Sequence, residues 1–244
     1  MDKRILNEMQ HGAKIAERAE EIWNWSGPAG ERRWARRVEL LTSRVPRGAR
    51  VLEIGCGTGL FTQELARRSF LTFSIDVSID LARQAKKRSE SSPHVFVSIQ
   101  NAYDTALPAA SFDVVIGMSV LHHLDLDRAL AEFQRLLRAG GVLLFSEPNM
   151  LNPIILVQKN IPWVKKLAGD SPDETAFVRW PLERKLTCHG FEVVAIQPFD
   201  FLHPVTPRPM VGMIERLSSV LENTPGVREI AGSLFIMARK PGGL

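Results

Sequence analysis

Cysteine is scarce: the 244 residues hold only Cys56 and Cys188. That excludes a disulfide framework and leaves no metal-ligand spacing, so no metal is expected. Long apolar runs are missing as well. The longest, such as VLLF (142–145) and IILV (154–157), fall far short of the roughly 20 residues of a membrane span. The opening MDKRILNEMQHGAK has neither the apolar centre nor the small-residue cleavage site of a secretory signal, which points to a cytoplasmic protein. There is no internal repeat and no low-complexity tract. What remains is 45% hydrophobic and 24% charged, enough for one domain with a full core.

Charge of one sign is concentrated in one place. The net charge is +4, and seven arginines fall within GERRWARRVELLTSRVPRGAR (30–50). Such a patch could draw an anionic substrate, a membrane surface or RNA. Trp34, Val38 and Leu41 recur at helical spacing, however, so Arg32, Arg33, Arg36 and Arg37 read more simply as the solvated face of a packed helix.

From about residue 50, apolar strand-like runs alternate with amphipathic helical ones. ARVLEI (49–54), FLTFSID (70–76), HVFVSI (94–99), FDVVIG (112–117) and GVLLFSE (141–147) predict five strands, and FEVVAIQ (191–197) and GSLFIMARK (232–240) two more. Between the fourth and fifth lies DLDRALAEFQRLLRA (125–139), with Gly140-Gly141 as a stop. The alternation predicts an α/β fold with a doubly wound, mostly parallel sheet of seven strands. The chain divides into an N-terminal helical cap (1–48), an α/β core (49–147), an insertion (148–180) and the end of the sheet with a helical lid segment (181–244, the lid 198–222), as one structural domain. Met210, Met213, Ile214, Leu217, Val220 and Leu221 form an apolar stripe that suits a lid, a dimer contact or a membrane-surface helix.

VLEIGCGTGLF (51–61) carries the chemistry. Gly55, Gly57 and Gly59 let the chain turn sharply after the first strand and approach a ligand, as phosphate-binding turns do. Glu53 contradicts a phosphate. At ~4 Å a carboxylate and a phosphate repel by several kcal/mol at intermediate dielectric, whereas an ammonium is attracted. An adenosyl ligand with an amino-acid tail therefore fits better than a pyrophosphate. Asp76 ends the second strand, where nucleotide folds place a carboxylate for ribose hydroxyls; its simpler role is to cap the next helix.

Taken in order, these motifs resemble the class I S-adenosylmethionine-dependent methyltransferases, in particular the small-molecule and lipid or quinone branch, from about Arg50 to Glu147. VLEIGCGTGLFT is similar to the family's first motif, SIDVS (74–78) to the second and NAYDTALPAASFDVVIGMSVLHHL (101–124) to the third. The resemblance implies a Rossmann-like methyltransferase fold and S-adenosylmethionine as cofactor, with S-adenosylhomocysteine as product. It places Glu53, Gly55, Cys56, Gly57, Thr58 and Gly59 along the methionine and ribose, Asp76 on the ribose, and Val77 against the adenine. Asn101-Ala102 stands where many relatives have Asp-Ala on the adenine edge, which weakens one hydrogen bond. Met118 would offer apolar contact.

The expected reaction is methyl transfer to oxygen or carbon of a small-molecule or lipid-like acceptor. His122 and His123 in VLHHLD are candidate general bases, at most one of them facing the acceptor, or else loop anchors. Glu147 either positions the acceptor or anchors a loop. Trp25 is a candidate acceptor contact, and Trp23, Trp163, Phe177 and Trp180 are candidates to roof the pocket beside it or to form lid core. Nucleic acid is not an expected partner, since no RNA-binding module is appended; RNA methylation and non-catalytic cofactor binding are the alternatives. The sequence leaves the oligomeric state open.

Overall fold

The computed structural model describes residues 2–242. The apolar runs form seven strands: β1 (Arg50–Ile54), β2 (Leu71–Asp76), β3 (Val95–Ile99), β4 (Phe112–Met118), β5 (Leu137–Pro148), β6 (Glu192–Phe199) and β7 (Ser233–Arg239). They lie side by side in the order β3-β2-β1-β4-β5-β7-β6. Pairings from β3 through β5 are parallel, whereas β7 runs antiparallel to both β5 and β6.

The central strands are covered on both faces, which is why they read as unbroken apolar runs. Val51 and Leu52 point to opposite sides, as do Val114 and Val115. On one side Leu52 and Val115 join Phe133 and Leu136 of α6 (Leu126–Leu136) and Leu186 of α9 (Arg179–Cys188). On the other, Val51 and Val114 meet Leu41 of α3 (Pro28–Thr42) and Phe61 and Leu65 of α4 (Leu60–Arg67). Each fully buried side chain of this kind contributes about 1.5–3 kcal/mol of transfer free energy. Helix starts follow local chemistry: Ser78 caps α5 (Ile79–Arg88) by accepting from the Leu81 amide, and Asp125 caps α6 by accepting from that of Arg128.

Two local expectations change. Gly140-Gly141 does not stop α6; the helix ends at Leu136 and runs directly into β5. Gly140, at φ +76°, lies in a bulge where pairing with β4 jumps from Phe112–Leu137 to Val114–Val142. The second concerns α10 (Arg208–Asn223). It buries Val211 and Ser218, with Ile214 beside them, and turns Met210, Met213, Leu217 and Val220 outward. The helix packs against α3 and β6, with Val211 and Ile214 set against Ala29 and Leu202.

Covering the carboxyl edge of the sheet are α1 (Lys3–Ile15) and α2 (Ala19–Ile22), where Ile15, Ala19 and, just after α1, Ala16 pack on Leu81 of α5. The 148–180 segment adds α7 (Pro153–Asn160) and α8 (Pro162–Leu167), and neither contains a fully buried residue. Among the described residues no helix is long and apolar enough to cross a membrane.

Candidate active site

Strand order reverses between β1 and β4, and in open α/β sheets such a reversal opens a crevice at the carboxyl ends of the strands. A cavity of about 760 Å³ fills it here, well within the size range of small-ligand sites. Glu53, Gly55, Cys56, Gly57, Thr58, Asp76, Val77, Asn101, Ala102 and Met118 all line it, so ten of the residues singled out in the sequence converge on one space.

Gly59 does not line it. Its φ is +86°, and a Cβ there would lie 2.6 Å from the Ala85 Cα. This glycine lets α4 and α5 close on each other, a packing role rather than a ligand contact. Gly57 is different: at φ +53°, a Cβ would sit 3.0 Å from Cη2 of Trp23, whose ring covers the turn.

Glu53 is 1% exposed, and its Oε2 accepts from the Thr62 hydroxyl at 2.7 Å and the Ser74 hydroxyl at 2.6 Å. Burial pushes its carboxyl up to about 7 despite these donors, with Asp76 adding to the rise. No positive side chain is among the causes of the shift. Asp76 accepts from the Gly57 amide at 2.9 Å and the Ser78 amide at 2.8 Å, so its carboxylate ties the glycine turn to the start of α5. Burial raises its pKa too, against those two donors. The Asn101 carbonyl accepts from the Tyr103 amide at 3.0 Å, which fixes the side chain at the end of β3. Cys56 is buried and its thiol pushed well above the usual value, which keeps it neutral.

Opposite this edge lies a roof of charged groups. His122 and His123 form a single turn of 3-10 helix after β4. His122 is 4% exposed, with Nδ1 2.6 Å from Glu147 Oε2 and Nε2 3.3 Å from Glu174 Oε1. Burial alone would lower its pKa, but the two carboxylates hold it up at about 9. With both ring nitrogens donating, His122 has no lone pair with which to accept a proton. The expectation that it is a base therefore fails on this geometry. His123 also lines the cavity; its Nδ1 is 3.0 Å from Oε2 of Glu8 on α1.

Glu147 does not line the cavity. Its carboxylate is 1% exposed and accepts from the amides of Val120 and Leu121 at 3.0 and 2.9 Å, besides His122. Of its two expected roles, this arrangement serves the loop anchor and offers nothing to an acceptor. Glu174 completes the roof. Burial would raise its pKa, yet His122, His123 and Lys159 hold it well below the usual carboxylate range. The Lys159 ammonium bridges Glu174 and Asp170, 2.9 Å from the latter, and the Ser171 hydroxyl donates to Glu8 at 2.5 Å.

His122, His123 and Glu174 bring donor atoms within 4.8 Å of one another, a spacing a metal ion could use. A dication would have to displace the Lys159 ammonium from Glu174 and the proton from His122, two cations already built into the same carboxylates.

The arginine cluster is not a solvated face throughout. The Arg37 side chain is 2% exposed and that of Arg33 14%, and both reach Asp200 Oδ2, at 2.7 and 2.9 Å. Asp200 follows β6, so its contact with α3 could not be read from local periodicity. Arg36 is paired to Glu222 on α10. Trp25 lies between Arg33 and Arg37, 5.7 and 5.6 Å from its ring, and meets Trp34 edge-on. Trp23 and Trp25 line the cavity; Trp163, Phe177 and Trp180 do not. Trp163 and Trp180 are exposed, and Phe177 packs against the core. Glu8, His11, Lys159, Asp170 and Glu174 were missed in the sequence. Only the spacing of Arg4, Glu8 and His11 along one face of α1 hinted at a polar surface there.

Residues 52–145 match a family model described as a methyltransferase domain. A ubiquinone biosynthesis O-methyltransferase of Xanthomonas axonopodis pv. citri is 34% identical over 142 residues, which cover 56% of this chain and 59% of that protein. The chain thus spans less than two thirds of that relative's length. A demethylmenaquinone methyltransferase of Thermobifida fusca is 28% identical over 194 residues, 70% of this chain and 81% of its own length. Among solved structures, the N-methyltransferase NodS of Bradyrhizobium japonicum WM9 with S-adenosyl-L-homocysteine shares the fold at a TM-score of 0.64 and 18% identity, covering 96% of this chain and 99% of that one. The glycine turn, the strand order and the match over residues 52–145 agree on a methyltransferase domain within this chain.

Proposed function

We propose that the protein transfers the methyl group of S-adenosylmethionine to oxygen or carbon of a small-molecule or lipid-like acceptor. The observation that carries this reading is the pair of carboxylates, Glu53 and Asp76, facing one cavity across a glycine turn at the strand-order reversal. The residues fit the cofactor in three respects. Glu53 is a buried acid held by hydroxyls and with no cation, a partner suited to an ammonium. Asp76 retains acceptor capacity beyond its two amides. Gly57 leaves the turn surface without a Cβ.

On this reading Glu53 holds the amino group of the methionine tail and Asp76 the ribose hydroxyls. Val77, Asn101 and Ala102 border the adenine, and Met118 gives apolar contact. Residues 1–48 and 148–180 act as cap and lid over the 49–147 core. When bound, the cofactor supplies an electrophilic methyl group on a sulfonium. The chain's own tasks are then alignment, which can lower the barrier by ~7–11 kcal/mol, and removal of a proton from a hydroxyl acceptor, roughly 10²–10⁴-fold. His123 is the group suited to the second task. Glu8 at Nδ1 orients the ring and would stabilise the imidazolium formed, the arrangement of a carboxylate-supported histidine base. His122 braces the same turn as a fixed cation between Glu147 and Glu174.

Two of the relatives carry names from quinone methylation, and the cavity's Ile5, Trp23, Trp25, Trp34, Phe201 and Leu202 suit an aromatic or apolar acceptor. RNA is disfavoured because Arg33, Arg36 and Arg37 are occupied by Asp200 and Glu222. Calorimetry with S-adenosylmethionine and S-adenosylhomocysteine is the first test: no heat with either would sink the reading. Mass spectrometry of cell extracts incubated with the protein and isotopically labelled cofactor is the second. Binding without label transfer to any compound would leave a non-catalytic binding module.

A further inference from the structure

The strand ends place opposite charges at two ends of the main cavity. Glu53 and Asp76 stand on β1 and β2, whereas Arg33, Arg37, Asp200 and Ser233 line it near β7. In the sheet β4 and β5 lie between β1 and β7, so the two groups are three strand spacings apart, roughly 14 Å.

The far end does not neutralise itself. Arg33 Nε donates to Asp200 Oδ2 at 2.9 Å, and Nη2 of Arg37 lies 2.7 Å from the same oxygen. The next acid, Glu222, is taken by Arg36 through both oxygens and by the Asp200 amide. Three arginines therefore share two carboxylates, and the surplus charge sits where the Arg33 and Arg37 side chains are 14% and 2% exposed. Burial and the Arg33 charge push His203 below its usual value, so it adds no cation at neutral pH. A buried charge calls for a partner.

Arg37 spends its terminal donors on the protein: Nη1 on the Arg33 carbonyl at 3.2 Å and Nη2 on the Ser233 hydroxyl at 2.5 Å. Arg33 does not. Among the described residues its side chain makes one hydrogen bond, from Nε, so the two terminal nitrogens of its fork have no protein acceptor. Such a fork matches the paired oxygens of a carboxylate or phosphate. The wall beside it is aromatic: the guanidinium lies 5.7 Å from the Trp25 ring, which meets Trp34 at 5.3 Å.

We infer that Arg33 binds an anionic group of the acceptor, a carboxylate or phosphate, at the end of the cavity away from the methyl donor, with the acceptor's aromatic or apolar body along Trp25 and Trp34. This assignment rests on the methyl-transfer reading and names the class of acceptor. With its acid group on Arg33, the acceptor points its other end back toward β1, and the carboxylates there oppose the reverse orientation. Arg33 also borders a second cavity, of about 820 Å³, between α3, β6 and α10. There Arg32 and Arg36 already have Glu215 and Glu222 opposite them, two acids that an entering anion would meet.

The test is calorimetric titration of the full chain, with and without S-adenosylhomocysteine, using three probes built on one ring system: naphthoate, naphthyl phosphate and the neutral naphthamide. At least one anion should bind about tenfold more tightly than the amide, and which one does so separates a carboxylate acceptor from a phosphate one. Arg33→Gln should weaken that anion by about ten- to a hundredfold, the effect of losing a charge-assisted pair, with the amide and S-adenosylhomocysteine unaffected. Arg33→Lys keeps the charge without the fork and should keep part of the preference. Arg32→Gln, which touches the second cavity alone, should leave it whole. The assignment is overturned if neither anion outbinds the amide, if Arg33→Gln keeps the preference, or if Arg32→Gln removes it, which would seat the anion in the second cavity. An Arg33-dependent preference in a chain that binds no S-adenosylhomocysteine would leave the anion seat standing and sink the methyl-transfer reading alone.

Discussion

Along the donor edge, Glu53, Asp76 and Asn101 stand at or just beyond the carboxyl ends of three neighbouring strands, and most of their polar partners lie within about twenty residues. Across the cavity, the roof is assembled from α1, the turn at 121–123, α7 and the 170–174 loop. Ser171 and Glu8, joined by a hydrogen bond, are 163 residues apart. The donor edge is a consequence of the sheet: strand order sets its position, and the β1 turn sets its shape. The roof exists only after helices with little buried surface have docked. A site built in these two ways should separate under mutation into a half that governs cofactor affinity and a half that governs turnover and lid stability.

The sharpest break expected is Asp76→Ala. Its carboxylate holds the Gly57 and Ser78 amides and, on the proposed reading, the ribose. Charge-assisted hydrogen bonds contribute about 1.5–3 kcal/mol each, so cofactor affinity should fall by about 10³-fold in calorimetry. Affinity retained within tenfold would mean the ribose lies elsewhere.

On the roof, Lys159→Met removes the ammonium between two carboxylates whose side chains are under 10% exposed. Leaving buried charges uncompensated costs about 3–5 kcal/mol, read as a lowered midpoint in chemical denaturation, with Asp76-dependent cofactor binding preserved. pH acts in the same region. The folded value of His122, about 9, lies above its ordinary 6.5. Its contribution to stability is thus complete below about pH 6.5 and is lost as pH rises through about 9. His122→Ala should flatten stability across that interval.

His123→Ala should lower turnover by about 10²-fold for a hydroxyl acceptor and leave cofactor affinity unchanged. Glu8→Gln should cost less, since it alters the orientation and support of the ring and leaves the accepting nitrogen in place. Equal turnover in all three proteins would assign the whole acceleration to alignment.

The same division explains what could be read in advance. Glu53, Asp76 and the glycine turn were legible because strand period, turn chemistry and charge sign are local properties of VLEIGCGTGLF and SIDVS. Gly59 was assigned to the ligand when it serves helix packing, since both demands select glycine at a positive φ. Arg33 and Arg37 looked solvated because their partner, Asp200, is on another element. Of the two adjacent histidines, nothing local tells which one is clamped; Glu174 decides it, 52 positions after His122 in the sequence.

The pH dependence of Glu53 is the most diagnostic of the donor edge. Burial raises Glu53 from 4.5 to about 7, so with no cation beside it the carboxyl is mostly protonated below about pH 7. The sign follows. Its stabilising contribution is complete below about pH 4.5 and is lost as pH rises through about 7, and above that an ionised Glu53 costs the fold up to ~3 kcal/mol. An ammonium in the site favours the ionised form and offsets that cost. Cofactor affinity should therefore weaken as pH falls from about 7 to about 5, by up to about tenfold per unit. Glu53→Gln keeps an oxygen for Thr62 and Ser74 and carries no charge. It should melt at a higher temperature than the wild-type chain at about pH 8, bind the cofactor more weakly, and show an affinity nearly flat over that range. A variant whose affinity keeps the wild-type slope would show that another group faces the amino tail, and the donor edge would then need a different acid.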